Sequence, residues 1–239
     1  PNMMDVLAKN YAKGNKDVKL FEIGRIFNNV PINCDGQPAE AEGLCIGMYG
    51  GETDFFELKG VIDELLSLMG MDQPVYEAEK NLPMYHPGRC ANIIYNGELL
   101  GTMGEMHPDV SERYGIEGRV YTCELLFSII MMHAKSEILY QPLPKYPAVT
   151  RDISLTVDEA VTVGAISEVI CENGGGLLED AALFDVYRGK QVGEGKKSVA
   201  FALTYRDAEK TLTDDEVNSV QSKVLEALKE QLGAVQREM

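Results

Sequence analysis

The sequence predicts an α+β protein of two domains: an antiparallel sheet flanked by helices, then a split βαβ. Three observations carry this. Strands and helices alternate in mixed order through the first 140 residues. The stretch "YQPLPKYP" at 140–147 places prolines at 142, 144 and 147. After it the order becomes strand–helix–strand–strand–helix–strand. Proline lacks an N–H and pushes its predecessor into an extended form, so 140–147 cannot be helical and joins expected domains 1–140 and 147–239.

The chain opens on a helix already under way, with Met3, Met4, Leu7 and Tyr11 on one face, and begins with Pro1. From that start a piece of a longer protein is expected. "VKLFEIGRIF" and "GLCIGMYGG" are strands separated by a polar loop. In "DFFELKGVIDELLSLMG" the residues Leu58, Val61, Ile62, Leu65, Leu66 and Met69 form a helical stripe; Asp54 supplies a cap and Gly70 a stop. "CANIIYNGELLGTMGEM" is a hairpin, because Asn96-Gly97 tolerates the positive φ angles of a two-residue turn. A short helix near 108–114 and the strand "RVYTCELLF" complete the domain.

Beyond the linker, "RDISLTVD" alternates as a strand and "TVGAISEVICENGG" is a helix stopped by glycines. "LLEDAALFDVYRG" and "KKSVAFALTYRD" are strands joined by a glycine-rich turn. Thr213 and Glu216 form a capping box for the helix "TDDEVNSVQSKVLEALKEQLG", and "AVQRE" supplies a last strand. This is the ferredoxin-like arrangement.

Composition excludes several classes. With 239 residues and 45% apolar content, two ordinary cores are affordable, yet no run of eighteen apolar residues exists to span a membrane. Five scattered cysteines without a CxxC pair fit reduced thiols rather than a disulfide frame or zinc site. Of three dispersed histidines, His86 and His107 belong to expected His-Pro turns, so no metal site is expected. The net charge of −16 divides into −9 for 1–145 (12 basic, 21 acidic) and −7 for 146–239 (10 basic, 17 acidic). General affinity for nucleic acid is therefore not written in the composition, and any RNA contact has to be local.

Several segments fall in a recognisable order: "LFEIGRIF", "DFFELKGVIDELL", "YHPGRCANI", "GTMGEMHPDV", "YPAVTRDISLTV", "LFDVYRG" and "KTLTDDEV". In this the chain resembles, over essentially its whole length, the C-terminal part of the phenylalanyl-tRNA synthetase β-subunit family. The resemblance implies a class II synthetase-like domain over 1–140 and a ferredoxin-fold anticodon-binding domain over 147–239, with the family's editing domain lying before residue 1. It also implies a catalytic α subunit in a heterotetramer of two α and two β, tRNA(Phe) as partner, and a cytoplasmic ligase holoenzyme using ATP and magnesium.

Measured against that family, the first domain looks non-catalytic. Class II enzymes clamp the α-phosphate of ATP with an arginine in a Phe-Arg-x-Glu run, because negative charge grows there during activation. The corresponding run here is Phe27-Asn28-Asn29-Val30. Asparagine carries no charge and forms no bidentate fork. The matching third motif, "YTCELLFSIIMM", has neither glycine nor arginine. Arg25 and Arg89 are expected to pair with carboxylates. No catalytic residue and no cofactor bound by this chain are therefore expected.

Strand alternation assigns the faces of the second domain. Val199, Phe201, Leu203 and Tyr205 point to the helices, as do Ala182, Phe184 and Val186, and Ile153, Leu155 and Val157. The open side then carries Asp152, Ser154, Thr156, Ser198, Ala200, Ala202, Thr204, Leu183, Asp185 and Tyr187. Tyr187 is its prominent ring, a platform on which a splayed RNA base can stack beside small Ser198. The basic cluster Arg188, Lys190, Lys196 and Lys197 adjoins it, so these six residues form the candidate tRNA-binding site. Two other readings stay open: a free-standing ATP-dependent amino-acid ligase, and a ligand-sensing split βαβ module.

Overall fold

The computed structural model describes residues 2–31, 38–135, 140, 142–189 and 192–237, with side chains outside 28–31 and 38–39. They form two compact units, Pro1–Tyr140 and Gln141–Met239.

In the first unit the chain runs α1 (Asn2–Ala12), β1 (Val18–Pro31), β2 (Pro38–Tyr49), α2 (Phe55–Leu68), β3 (Val75–Ala78), β4 (Tyr85–Tyr95), β5 (Glu98–Met106), α3 (Pro108–Arg113), β6 (Val120–Leu126) and α4 (Phe127–His133). The strands make one antiparallel sheet in the order β1-β2-β6-β5-β4-β3. Alternation splits β2, β4, β5 and β6 between two cores. Leu44, Ile46, Ile93, Met103 and Leu125 meet Leu58, Ile62 and Leu66 of α2. Met3, Met4 and Leu7 of α1 instead join Val18, Tyr49, Tyr85 and Val120. Gly47 permits that second contact, because a Cβ there would lie 2.6 Å from Met3 Cγ.

The expected local signals appear in these elements. Asp54 caps α2 by accepting from the Glu57 N–H at 2.8 Å. Asn96 and Gly97 hold φ of 50° and 81° in the β4–β5 turn. Arg89 donates to both carboxylate oxygens of buried Glu105 at 3.0 Å, and the Tyr121 hydroxyl donates to the same group.

Four expectations need correction. Val61 is exposed at the flank of the α2 stripe, since its position turns it away from the direction shared by Leu58, Ile62 and Leu66. His86 and Pro87 lie within β4, where a register shift between Tyr85 and Cys90 absorbs the proline; only His107-Pro108 opens a helix. The short edge strand β3 and the helix α4 are additional elements. β3 is mostly exposed and lacks alternation, and α4 starts without a side-chain cap, so neither has a sharp local signal.

The second unit comprises β7 (Val149–Asp158), α5 (Val163–Gly174), a 3₁₀ turn (Gly175–Leu177), β8 (Leu178–Tyr187), β9 (Lys196–Tyr205), α6 (Asp214–Leu232) and β10 (Val235–Gln236). Its antiparallel sheet has the order β10-β7-β9-β8, as the split βαβ pattern requires. Ile153, Leu155, Val157, Val199, Phe201 and Leu203 are buried against Ile166, Ile170, Val217, Val224 and Leu228 of the helices. The Thr213–Glu216 capping box is present, and Gly233 closes α6 at φ 62°. Lys210 and the Thr213 backbone hold the Glu216 carboxyl down to about 2.

The Tyr205 hydroxyl is buried without a hydrogen-bond partner among the described residues. An unmet buried hydroxyl costs about 1–3 kcal/mol. Tyr205→Phe is therefore expected to stabilise the protein by about that amount, read as a raised thermal midpoint. A lowered midpoint would mean that the hydroxyl is bonded in solution.

Candidate nucleic-acid interface

Among the described residues of this unit, α5 and α6 pack on one face of the sheet and no helix lies on the other, whose chemistry is laid out by register. A row crosses it from Val235 on β10 through Thr156 on β7 and Ser198 on β9 to Tyr187 on β8. Towards the β8–β9 turn the next pair is Asp158 opposite Lys196. In the other direction lie Ser154, Ala200 and Asp185, then Asp152, Ala202 and Ala182, then Thr150, Thr204 and Asp180. Asp185, Asp152 and Asp180 thus occupy the middle and far end of the face, and Asp158 stands at the turn end opposite Lys196. The exposed cations described on or beside this face, Lys196 and Arg188, lie at the turn end near the exposed ring, with Asp158 and Glu159 as their neighbours.

Tyr187 is 41% exposed. Its ring lies over the turn that follows: a Cβ on Gly189 would come within 2.3 Å of the phenol oxygen. On the other side stands Ser198, directly opposite in register. The ring is therefore steadied at its edges while part of its surface stays open, which suits stacking with a planar base.

The other predicted residues divide. Lys196 and Arg188 are exposed, and Arg188 Nε pairs with Glu159 Oε1 at 2.9 Å. Lys190 lies outside the described residues. Ser198 is only 6% exposed, a correction to its expected place on an open surface: a short side chain between Thr156 and Tyr187 is overshadowed by both. Lys197 is 5% exposed and donates from Nζ to the Glu159 carbonyl at 3.0 Å. It stands opposite Val157, on the helix side of the sheet. Its charge secures the end of β7 and is withdrawn from the surface cluster.

A β-bulge corrects a further assignment. Leu183 pairs with Phe201 and Asp185 with Ala200, so the ladder slips at Phe184. Alternation counted back from Val186 fails beyond that point. Leu183 shares the side of Phe201, Ala182 shares that of Ala202, and Phe184 is exposed. Val235, exposed at the far end of the Tyr187 row, was not anticipated, because the pairing of a two-residue strand is not visible in sequence.

In the first unit, Phe27 and Asn28 lie on the edge strand β1, with Asn28 opposite Ala39; the Asn28 side chain lies outside the described residues. Arg25 on the same strand pairs with Glu40 at 3.2 Å, as expected for a structural arginine. Among the described residues no helix is long and apolar enough to cross a membrane.

Two family models match the chain. One, described as the phenylalanyl tRNA synthetase beta chain CLM domain, covers residues 1–127; the other, the ferredoxin-fold anticodon binding domain, covers 144–237. The phenylalanine–tRNA ligase beta subunit of Clostridium acetobutylicum is 46% identical over 234 residues, covering 98% of this chain and 29% of its own length. That of Bacillus subtilis is 38% identical over 248 residues, covering 99% and 30%. The chain thus spans under a third of these relatives. A crystal structure of pyrrolysyl-tRNA synthetase from Desulfitobacterium hafniense is a looser likeness, with a TM-score of 0.45 and 16% identity over 55% of this chain and 47% of that one.

Proposed function

The chain belongs to the phenylalanyl-tRNA synthetase β-chain family, and from that premise we propose that it is the C-terminal part of a phenylalanine–tRNA ligase β subunit. In this reading residues 147–239 hold the anticodon region of tRNA(Phe), and residues 1–140 pack against a catalytic α subunit. The working assembly is a cytoplasmic heterotetramer of two α and two β that charges tRNA with phenylalanine.

The observation that carries the anticodon role is the exposed Tyr187 ring on the open face, with Lys196 and Arg188 at the same end. A base stacks on Tyr187 while its flanking phosphates run past Lys196 and Arg188, the latter exchanging its exposed partner Glu159 for phosphate, away from Asp152, Asp180 and Asp185. Ser198 and Lys197, both buried, keep the floor narrow and the β7 end fixed. The test is the salt dependence of tRNA binding by the heteromeric enzyme. Lys196→Ala should reduce the slope of log K against log salt by roughly 0.7–0.9, whatever the anticodon sequence. An unchanged slope would place the phosphates elsewhere and overturn this reading.

ATP and magnesium are used by the α subunit in this proposal. A triphosphate is poorly matched to the first unit: the sheet cavity near β1 presents Glu22 and Glu124, while Arg25 is tied to Glu40. Asn28 supplies no charge for a phosphate. The chain by itself should therefore not catalyse phenylalanine-dependent ATP–pyrophosphate exchange. In the heteromeric enzyme Asn28→Ala should leave the exchange rate nearly unchanged, whereas loss of a clamping donor typically costs about a hundredfold or more. A loss of that size with assembly intact would favour the ATP-dependent ligase reading instead.

A further inference from the structure

A cavity of about 470 Å³ opens on the face of the six-stranded sheet opposite α2, well away in chain terms from the proposed tRNA surface. Its size lies within the roughly 300–1,000 Å³ of small-molecule sites. Register supplies the floor. Glu22, Cys45, Glu124 and Thr102 stand in one row across β1, β2, β6 and β5. In the adjacent row Gly24 faces Gly43, so two neighbouring positions carry no side chain. A Cβ on Gly24 would meet nothing nearer than Glu22 Oε1 at 3.9 Å. Packing does not demand a glycine there; the recess is open space. Ile26, Leu82, Met84, Leu99 and Leu126 make its walls apolar.

The charged side chains that stand in the floor row of this cavity are two carboxylates, Glu22 and Glu124. Glu22 and Glu124 have no hydrogen bond or ion pair from any cation among the described residues. Arg25 alternates to the other face of β1, with Ile23 and Phe27, and pairs there with Glu40 at 3.2 Å. Cys45, set between the two carboxylates in the row, reports the field they make. Burial first, then the charge of Glu124, push its thiol up to about 12; the chain's terminal ammonium pulls the other way, and Glu22 adds the smallest push. A field that opposes a thiolate favours an ammonium placed at the same point.

We propose that this cavity binds a small amphipathic amine, its ammonium held between Glu22 and Glu124 and its apolar body lodged in the Gly24–Gly43 recess. Anions of the same shape are repelled, and neutral isosteres keep only the apolar contact. This proposal is independent of the tRNA reading, since none of its residues belongs to the second unit.

Three indoles of one shape and different charge test it on the full 239-residue chain: tryptamine, the neutral alcohol tryptophol and the anion indole-3-acetate. Calorimetry gives affinity, and methyl resonances of Met3 and Met84, both in the lining, report location. At low salt, tryptamine is expected to bind about tenfold or more tighter than tryptophol, and indole-3-acetate not at all. Glu124→Gln should erase the preference for tryptamine while leaving tryptophol affinity unchanged. Gly24→Val fills the recess with a strand-favouring side chain and should remove both ligands while the thermal midpoint holds. If that variant does not fold, the Glu22→Gln, Glu124→Gln pair decides in its place. Equal binding of tryptamine and tryptophol, methyl shifts that bypass Met3 and Met84, or no tryptamine binding at millimolar concentration would each overturn the proposal.

Discussion

Tyr187→Ala in the heteromeric enzyme should raise the KM for tRNA(Phe) about tenfold and leave phenylalanine-dependent ATP–pyrophosphate exchange untouched. Stacking of a base on an aromatic ring is worth roughly 1–3 kcal/mol by alanine substitution, and 1.4 kcal/mol is a factor of ten. The ring is already positioned before RNA arrives, between Ser198 across the ladder and the backbone of Gly189. Little ordering has to be added on binding, so most of the stacking free energy is retained. Tyr187→Phe keeps the platform and should retain most of the affinity. Aminoacylation of wild-type and anticodon-altered tRNA by each variant separates the possibilities. A Tyr187→Ala enzyme that binds tRNA as tightly as the parent and still discriminates anticodons would remove the open sheet face from consideration as the reading surface.

That surface was only partly legible from residue order, and the reasons are physical. Helix caps and tight turns are local chemistry, so Asp54, Asn96-Gly97, Thr213 and Glu216 appear where spacing placed them. The core faces of β7 and β9 followed from alternation, because both strands run without interruption past the same two helices. On β8 alternation held only from Asp185 to Tyr187. The slip at Phe184 depends on how the edge strand meets its neighbour, which no window of sequence records. Exposure was harder still. Ser198 has the expected side of the sheet but is shaded by larger neighbours, and Lys197 reaches a carbonyl at the end of another strand. Both outcomes are set by partners some 10 to 40 positions away in the chain. The same limit applies to β1. Its apolar residues are plain in the sequence, but α2 stops short of covering them.

Those β1 residues carry the largest effect expected of the first unit. Phe21 pairs with Ile46, Ile23 with Leu44 and Phe27 with Glu40, all on the side of the sheet where Ile46 and Leu44 meet α2. Yet Phe21 is 73% exposed and Phe27 60% exposed, with Ile23 exposed between them. Aromatic side chains left open along an edge strand invite association, and isolated folds usually blunt such edges with charge, proline or a covering element. In the proposed assembly with the α subunit, this strand is the contact we expect that subunit to cover. Buried aromatic anchors at an interface commonly cost about 2 kcal/mol or more each on truncation, and a charge placed there adds a desolvation penalty. Phe21→Asp with Phe27→Asp should therefore weaken α–β association by about a hundredfold or more, with the secondary structure of the β chain unchanged. Sedimentation of mixed subunits at micromolar concentration reads the result directly. The same double variant should also remove any tendency of the 239-residue chain to self-associate, since both behaviours draw on one apolar edge. Assembly at parental affinity would show that the α subunit docks on another surface, and β1 would then need a different reason to leave two phenylalanines in water.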